Sequence, residues 1–114
     1  MAYNYKSYSL EQLQEEEILV REKLKEAIAE DRTSHIAVYE RKLEVVRSFM
    51  LDPTEFQPKD IRLLKDDEEH YFGILRISGV MAWGYRIHKK TLQKQGEKEV
   101  ILLDLIGEKV ELDL

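Results

Sequence analysis

The chain has 114 residues, 43% hydrophobic and 36% charged, with a formal net charge of −5. This length suits one domain, or one domain with an appended element, and the composition supports a real core on a very soluble chain. The negative balance excludes a global attraction to nucleic acid or anionic membrane, so any such binding needs a local patch.

Cysteine is absent, which removes disulfides, thiolate metal sites and Cys nucleophiles and fits a reducing cytosol. The opening Met-Ala-Tyr-Asn-Tyr-Lys has no apolar signal core, and no run approaches the roughly 18 apolar residues of a membrane span. The expectation is a cytoplasmic protein with no membrane partner.

Residues 1–8 carry Tyr3, Tyr5 and Tyr8 among Asn and Lys, an arm expected to lay its rings on the helices that follow. Ser9-Leu-Glu-Gln12 is a capping box. Leu10, Leu13, Val20, Leu24, Ala27 and Ile28 then follow helical spacing, which predicts a helix over residues 10–30. After Asp31-Arg-Thr-Ser34, Ile36, Tyr39, Leu43, Val46, Phe49 and Met50 define a second helix, capped by Ser34 and ended at Asp52 by Pro53. The short connection makes the pair an antiparallel hairpin. So narrow a hairpin must meet either the C-terminal half or a second copy of the chain.

Both prolines fall in Pro53–Pro58, and the pattern beyond them is strand-like. The expected strands are Ile61–Leu64, His70–Ile77, Val80–Ile87, Val100–Ile106 and Val110–Leu112. Asp66–Glu69 is read as an acidic turn, Ser78-Gly79 as a hairpin turn and Lys89–Glu97 as a polar connection. The fold class is α+β: an N-terminal arm and helical hairpin (1–52) packed on a five-stranded SH3-like β-barrel (53–114), folding as one cooperative unit.

Met50-Leu-Asp-Pro53 followed by Phe56, and then Gly79-Val-Met-Ala-Trp-Gly-Tyr-Arg86, resembles the YfhH family of small uncharacterised bacterial proteins. The resemblance covers most of the chain and implies a helical hairpin on an SH3-like barrel. It implies no established activity, although a role in transcriptional regulation has been suggested for members. The acidic ending from Glu108 to Leu114 lies outside it.

No residue pattern points to catalysis or to a cofactor. His35, His70 and His88 lack metal-ligand spacing and read as three isolated surface imidazoles, and the acidic run lacks the alternating oxygen ligands of a calcium loop. No nucleophile elbow, phosphate loop or dinucleotide fingerprint occurs. The expectation is a non-enzyme with no catalytic residues, no metal and no cofactor.

The most informative stretch runs from Arg76 to Gly96, with five cations (Arg76, Arg86, Lys89, Lys90, Lys94) and no Asp or Glu. Trp83, Tyr85 and His88 lie among them, and rings beside cations suit single-stranded nucleic acid. On a strand, Met81, Trp83 and Tyr85 share one face and Ala82, Gly84 and Arg86 the other. The expectation is that the first face is core, so that Trp83 and Tyr85 pack and Arg86 stays outside. The main reading is a non-enzymatic interaction or adaptor protein, with a protein partner or a homodimer through the hairpin. The alternative is a nucleic-acid-binding regulatory module that uses Arg76, Arg86, His88, Lys89, Lys90 and Lys94, with Trp83 and Tyr85 structural or stacking.

Overall fold

A computed structural model describes residues 5–112, and the chain divides into two compact units, Met1–Leu51 and Asp52–Leu114. The first unit holds α1 (Leu10–Ala29) and α2 (Thr33–Met50). The capping box forms as the sequence requires. Gln12 N–H donates to Ser9 Oγ at 3.1 Å and Ser9 N–H donates to Gln12 Oε1 at 2.8 Å, an arrangement whose loss costs about 1 kcal/mol. Leu13, Val20 and Ala27, spaced seven apart, are the buried seam of α1.

The second helix starts one residue before the expected Ser34 cap. Asp31 adopts φ 55° and reverses the chain, so Arg32 becomes the N-cap without a side-chain bond. The helix ends at Met50 because Leu51 is already extended. Across the hairpin, Arg47 Nε reaches Glu17 Oε2 at 2.9 Å and Lys42 Nζ reaches Glu16 Oε1 at 3.5 Å. The Tyr5 ring is buried, edge-on to Tyr8 at 5.1 Å and to Phe49 at 5.9 Å. The arm therefore packs its Tyr5 ring on the hairpin, while Tyr8 leans on Tyr5 and stays exposed, and Tyr3 lies outside the described residues.

The second unit opens with a 3-10 turn at Pro53–Glu55 and continues through β1 (Ile61–Leu64), β2 (Asp67–Ser78), β3 (Met81–His88), β4 (Lys94–Leu102) and β5 (Ile106–Lys109). Every pairing is antiparallel, and the strand order is β4-β3-β2-β1-β5. The α+β class stands. The sheet, however, is not closed: a second 3-10 turn at Leu103–Leu105 redirects the chain, so β5 returns to β1 and no ladder joins β4 to β5 among the described residues.

Four boundaries moved: β4 begins at Lys94, inside the expected Lys89–Glu97 connection, because Lys94 and Gln95 pair with Ile87 and Arg86, and three others moved for local reasons. Only Lys65 and Asp66 turn between β1 and β2, because the Asp67 side chain is anchored in the sheet and Asp67–Glu69 join β2. The turn into β3 is Gly79-Val80, with Gly79 at φ 59°. The apolar run Val100–Ile106 holds the end of β4, the 3-10 turn and the first residue of β5. The last strand therefore comes earlier than Val110–Leu112, although Val110 N–H still donates to Ile61 O at 2.7 Å.

A polar clasp holds the start of this unit. Asp60 is 5% exposed and accepts from Gln57 N–H at 3.0 Å and from Arg62 at 3.2 and 3.1 Å. Arg62 also donates to Glu55 O at 2.6 Å and to Gly107 O at 3.3 Å, and lies over the buried Phe56 ring at 4.4 Å. One guanidinium thus ties the 3-10 turn, β1 and β5 together.

The buried side chains of the sheet include Phe72, Ile74, Ala82, Leu102 and Leu103. Gly84 lies among them with no room for a side chain. A Cβ there would fall 2.1 Å from Gly73 O and 2.8 Å from Phe72 Cε2. Gly84→Ala should therefore cost about 3 kcal/mol or more. Gly79→Ala, strained only by its positive φ with nothing within 4 Å, should cost about 1–2 kcal/mol. Urea denaturation of the two variants measures the difference.

Candidate functional site

The register of β2 on β3 sorts their side chains onto two faces. His70↔His88, Phe72↔Arg86 and Ile74↔Gly84 lie on one side, and Tyr71↔Ile87, Gly73↔Tyr85 and Arg76↔Trp83 on the other. A bulge at Leu75, between Ile74 and Arg76, inserts one residue and brings Arg76 opposite Trp83. Ala82 is fully buried and Gly84 buried, while Met81, Trp83 and Tyr85 are half-buried. The core face of β3 is thus the Ala82–Gly84 face. The expectation that Trp83 and Tyr85 are core is corrected: Gly84 allows the close approach, and the rings go to the outer face.

On that outer face each ring carries a cation. The Arg76 guanidinium lies 4.5 Å from the Trp83 ring centroid, Lys94 Nζ 4.7 Å from Tyr85 and Lys89 Nζ 5.4 Å from Tyr71. Val100, paired with Trp83, is 44% exposed, and Leu63, paired with Tyr71, is 36% exposed. No Asp or Glu occupies a paired position on this face from Leu63 to Val100, but Glu69, two residues before Tyr71, borders its Lys89 end. Three of the expected binding cations and both expected rings therefore share one surface. Tyr71 completes it. Its signal in the sequence was the alternation with Phe72, which places it on the face opposite the core.

The other three expected residues lie elsewhere. Arg86 shares the side of Phe72 and is held by two acids, with Nη1 to Asp67 Oδ2 at 2.7 Å and Nε to Glu99 Oε2 at 2.9 Å. Burial opposes its charge, but those hydrogen bonds outweigh burial and raise its pKa. His88 Nδ1 accepts from Lys90 N–H at 3.1 Å and Thr91 N–H at 3.5 Å, so this imidazole shapes the turn. Lys90 borders a shallow cavity of about 310 Å³ lined by Glu68, Glu69, His88, Lys89 and Lys90. Carboxylates balance ammonium groups there, which weakens any phosphate preference.

Two of the three imidazoles are not isolated, whereas His35 is exposed on α2 beside Tyr39. His70 and His88 meet edge to face at 5.4 Å. His70 Nε2 donates to Gln95 Oε1 at 2.8 Å, and Nδ1 lies 2.9 Å from Asp67 Oδ2. Both ring nitrogens face oxygen, which suits the imidazolium. The bond to Gln95 and then that to Asp67 raise the His70 pKa. At Asp67, burial disfavours the charge, but bonds from His70, Arg86 and Glu69 N–H overcome it and lower the pKa to about 2. Asp67, Gln95 and Glu99 are missing from the basic segment as read along the chain or do not bear its charge; only the cross-strand register reveals them.

The linkage has two limbs. His70 has a raised pKa when folded, so its contribution is complete below the ordinary value of 6.5 and is lost as pH rises through the folded value. Asp67 has a lowered one, so its contribution is present above the ordinary 3.8 and is lost as pH falls towards about 2. The urea midpoint of the wild type should therefore fall above about pH 6.5, and His70→Gln should flatten that limb. Paired denaturation curves from pH 5 to 9 measure it.

No helix among the described residues is long and apolar enough to cross a membrane. Comparison with known proteins gives two concordant matches. The family described as "Protein of unknown function (DUF1811)" matches residues 3–106. The uncharacterised protein YfhH of Bacillus subtilis (strain 168) is similar, with 30% identity over 86 residues that span 75% of this chain and 82% of that protein. The helical hairpin, the Pro-containing joint and the Gly79–Arg86 segment all fall within the matched region, and the chain belongs to this YfhH-like DUF1811 family.

Proposed function

We propose that the protein is a non-enzymatic interaction module whose outer sheet face receives a protein segment that is both acidic and apolar. One observation carries the reading: Trp83, Tyr85 and Tyr71 form a half-buried aromatic row, each ring bearing its own Arg or Lys. Such rings offer large contact area with little side-chain entropy to lose, and desolvated cation–ring pairs are worth up to about 2 kcal/mol. Carboxylates of a partner would meet the cations while its apolar side chains cover the rings. The finer SH3-like reading of the sheet belongs to the same proposal. It is supported by the β4-β3-β2-β1-β5 order and by the 3-10 turn before β5.

Single-stranded nucleic acid is the second reading, favoured by the same interleaving of cations and rings. Its electrostatic support is thinner than the sequence suggested. Arg86 is committed to Asp67 and Glu99, and Lys89 and Lys90 lie beside Glu68 and Glu69. Three cations on the face correspond to a salt slope of only about −2, set against a net charge of −5.

Trp83 is the only tryptophan and sits on the face, so its fluorescence reports binding directly. A synthetic helical peptide with a Glu stripe and central leucines, free of aromatic residues, should shift its emission saturably. Arg76→Glu with Lys94→Glu should weaken that response at least tenfold. A twelve-residue oligothymidylate is the competing ligand. Tighter binding of that oligonucleotide at moderate salt would move the assignment to nucleic acid, and no response to either would sink both.

A further inference from the structure

We infer that the segment received by this face is the outer stripe of α1 from a second copy of the chain, in a reciprocal two-fold dimer. The inference rests on the binding role of the face proposed above, and it adds the identity of the partner. Glu11, Glu15, Ile18, Glu22 and Glu26 recur along α1 at intervals of three and four residues, and so line one side of the helix. That side is turned away from the buried seam of Leu13, Val20 and Ala27.

The stripe is acidic at both ends and apolar at its middle. Ile18 is 54% exposed and the adjacent Leu19 46%. Among the described residues the four glutamates have no ion pair, unlike Glu16 and Glu17, which are taken up by Lys42, Arg21 and Arg47. Lys23 flanks the stripe, and Lys25, seven residues after Ile18 and three after Glu22, stands at the edge of its C-terminal half.

Dimensions and charges match. From Glu11 to Glu26 the helix advances about 22 Å at 1.5 Å per residue. From Trp83 to Lys89 the sheet face runs about 20 Å at 3.3 Å per residue. Exposed glutamates at the two ends of the stripe can therefore meet Arg76 and Lys89 at the two ends of the face. Ile18 and Leu19 then come over the middle of the face, where Tyr85 and Ile87 lie. Each chain carries both surfaces, so a two-fold axis makes the contact twice and closes the assembly, whereas a single head-to-tail contact would propagate into a chain.

Sedimentation equilibrium of the full chain tests this, and charge reversal supplies the specificity. The helix variant is Glu15→Lys, Glu22→Lys and Glu26→Lys, sparing Glu11 because it supports the helix start. The sheet variant is Arg76→Glu, Lys89→Glu and Lys94→Glu. Wild type should show a salt-sensitive monomer–dimer equilibrium, and each variant alone should dimerise at least tenfold more weakly. An equimolar mixture should regain the dimer, since one contact of the mixed pair is then reversed on both sides and the other is native, and both are complementary. Circular dichroism melts confirm that each variant is folded, and the mixture itself shows that the reversed surfaces are intact. A wild type that stays monomeric to about 1 mM, a variant that dimerises like wild type, or a mixture that stays monomeric overturns the inference. Whether a monomeric wild type still binds the acidic peptide then separates a failed dimer from a failed binding face.

Discussion

The close approach of β2 and β3 at Gly84 is the constraint on which the rest of the second unit depends. A methyl group there would sit 2.1 Å from the Gly73 carbonyl oxygen, so the backbones pass at a distance only glycine allows. With Ala82 beside it, Gly84 makes the inward face of β3 almost smooth, and the Phe72 ring lies against it. Successive strand residues point to opposite faces. Once Gly84 is inside, Trp83 and Tyr85 must be outside. The position of the aromatic row is thus a consequence of a packing requirement on the opposite side of the sheet.

The electrostatics follow from the same register. Read along the chain, residues 76–96 form an unbroken positive stretch. Read across the strands, Asp67 and Glu99 embrace Arg86, and Asp67 with Gln95 fixes His70. These partners are 3 to 25 residues apart in sequence, so no local window contains the set. Their arrangement is cross-bracing: one carboxylate near the β1–β2 turn holds groups from β2 and β3, and β4 supplies the second carboxylate and the amide. The three cations on the outer face lie over rings, and of these Lys89 also borders Glu69. Pairing has divided one sequence feature into a structural network and a candidate binding face.

This division explains how much was legible in advance. The helices were readable because their information is local: Ser9 and Gln12 cap one another three residues apart, and the Leu13–Val20–Ala27 seam repeats at a fixed interval. Strand β1 was equally plain as a short apolar run. The β4–β5 region was not. Leu102, Leu103 and Ile106 are all buried, but they serve a strand, a 3-10 turn and another strand in succession, and alternation cannot express that. The choice of core face on β3 was open to the sequence as two parities. The size of Trp83 argued for one, and the absence of a Cβ at Gly84 decided the other. Sterics with a backbone carbonyl outweighed the gain from burying a large ring.

An outer face rich in aromatic residues carries a hazard that the cations on it address. Large contiguous apolar patches promote unspecific association. A guanidinium or ammonium over each ring keeps water nearby while leaving the ring available to a ligand that brings its own negative charge. The open edge at β4 is protected differently, by Lys94, Glu97, Lys98 and Glu99 and by a register break between Gly84 and Arg86 of its partner strand, devices that discourage edge-to-edge pairing. An edge defended by charges and a bulge, beside a face whose rings are covered by displaceable cations, is what the proposed binding role of the face requires. The partner proposed for it neutralises those cations as it covers the rings, and the exposed stripe of α1 in a second copy has that combination of charge and apolar surface.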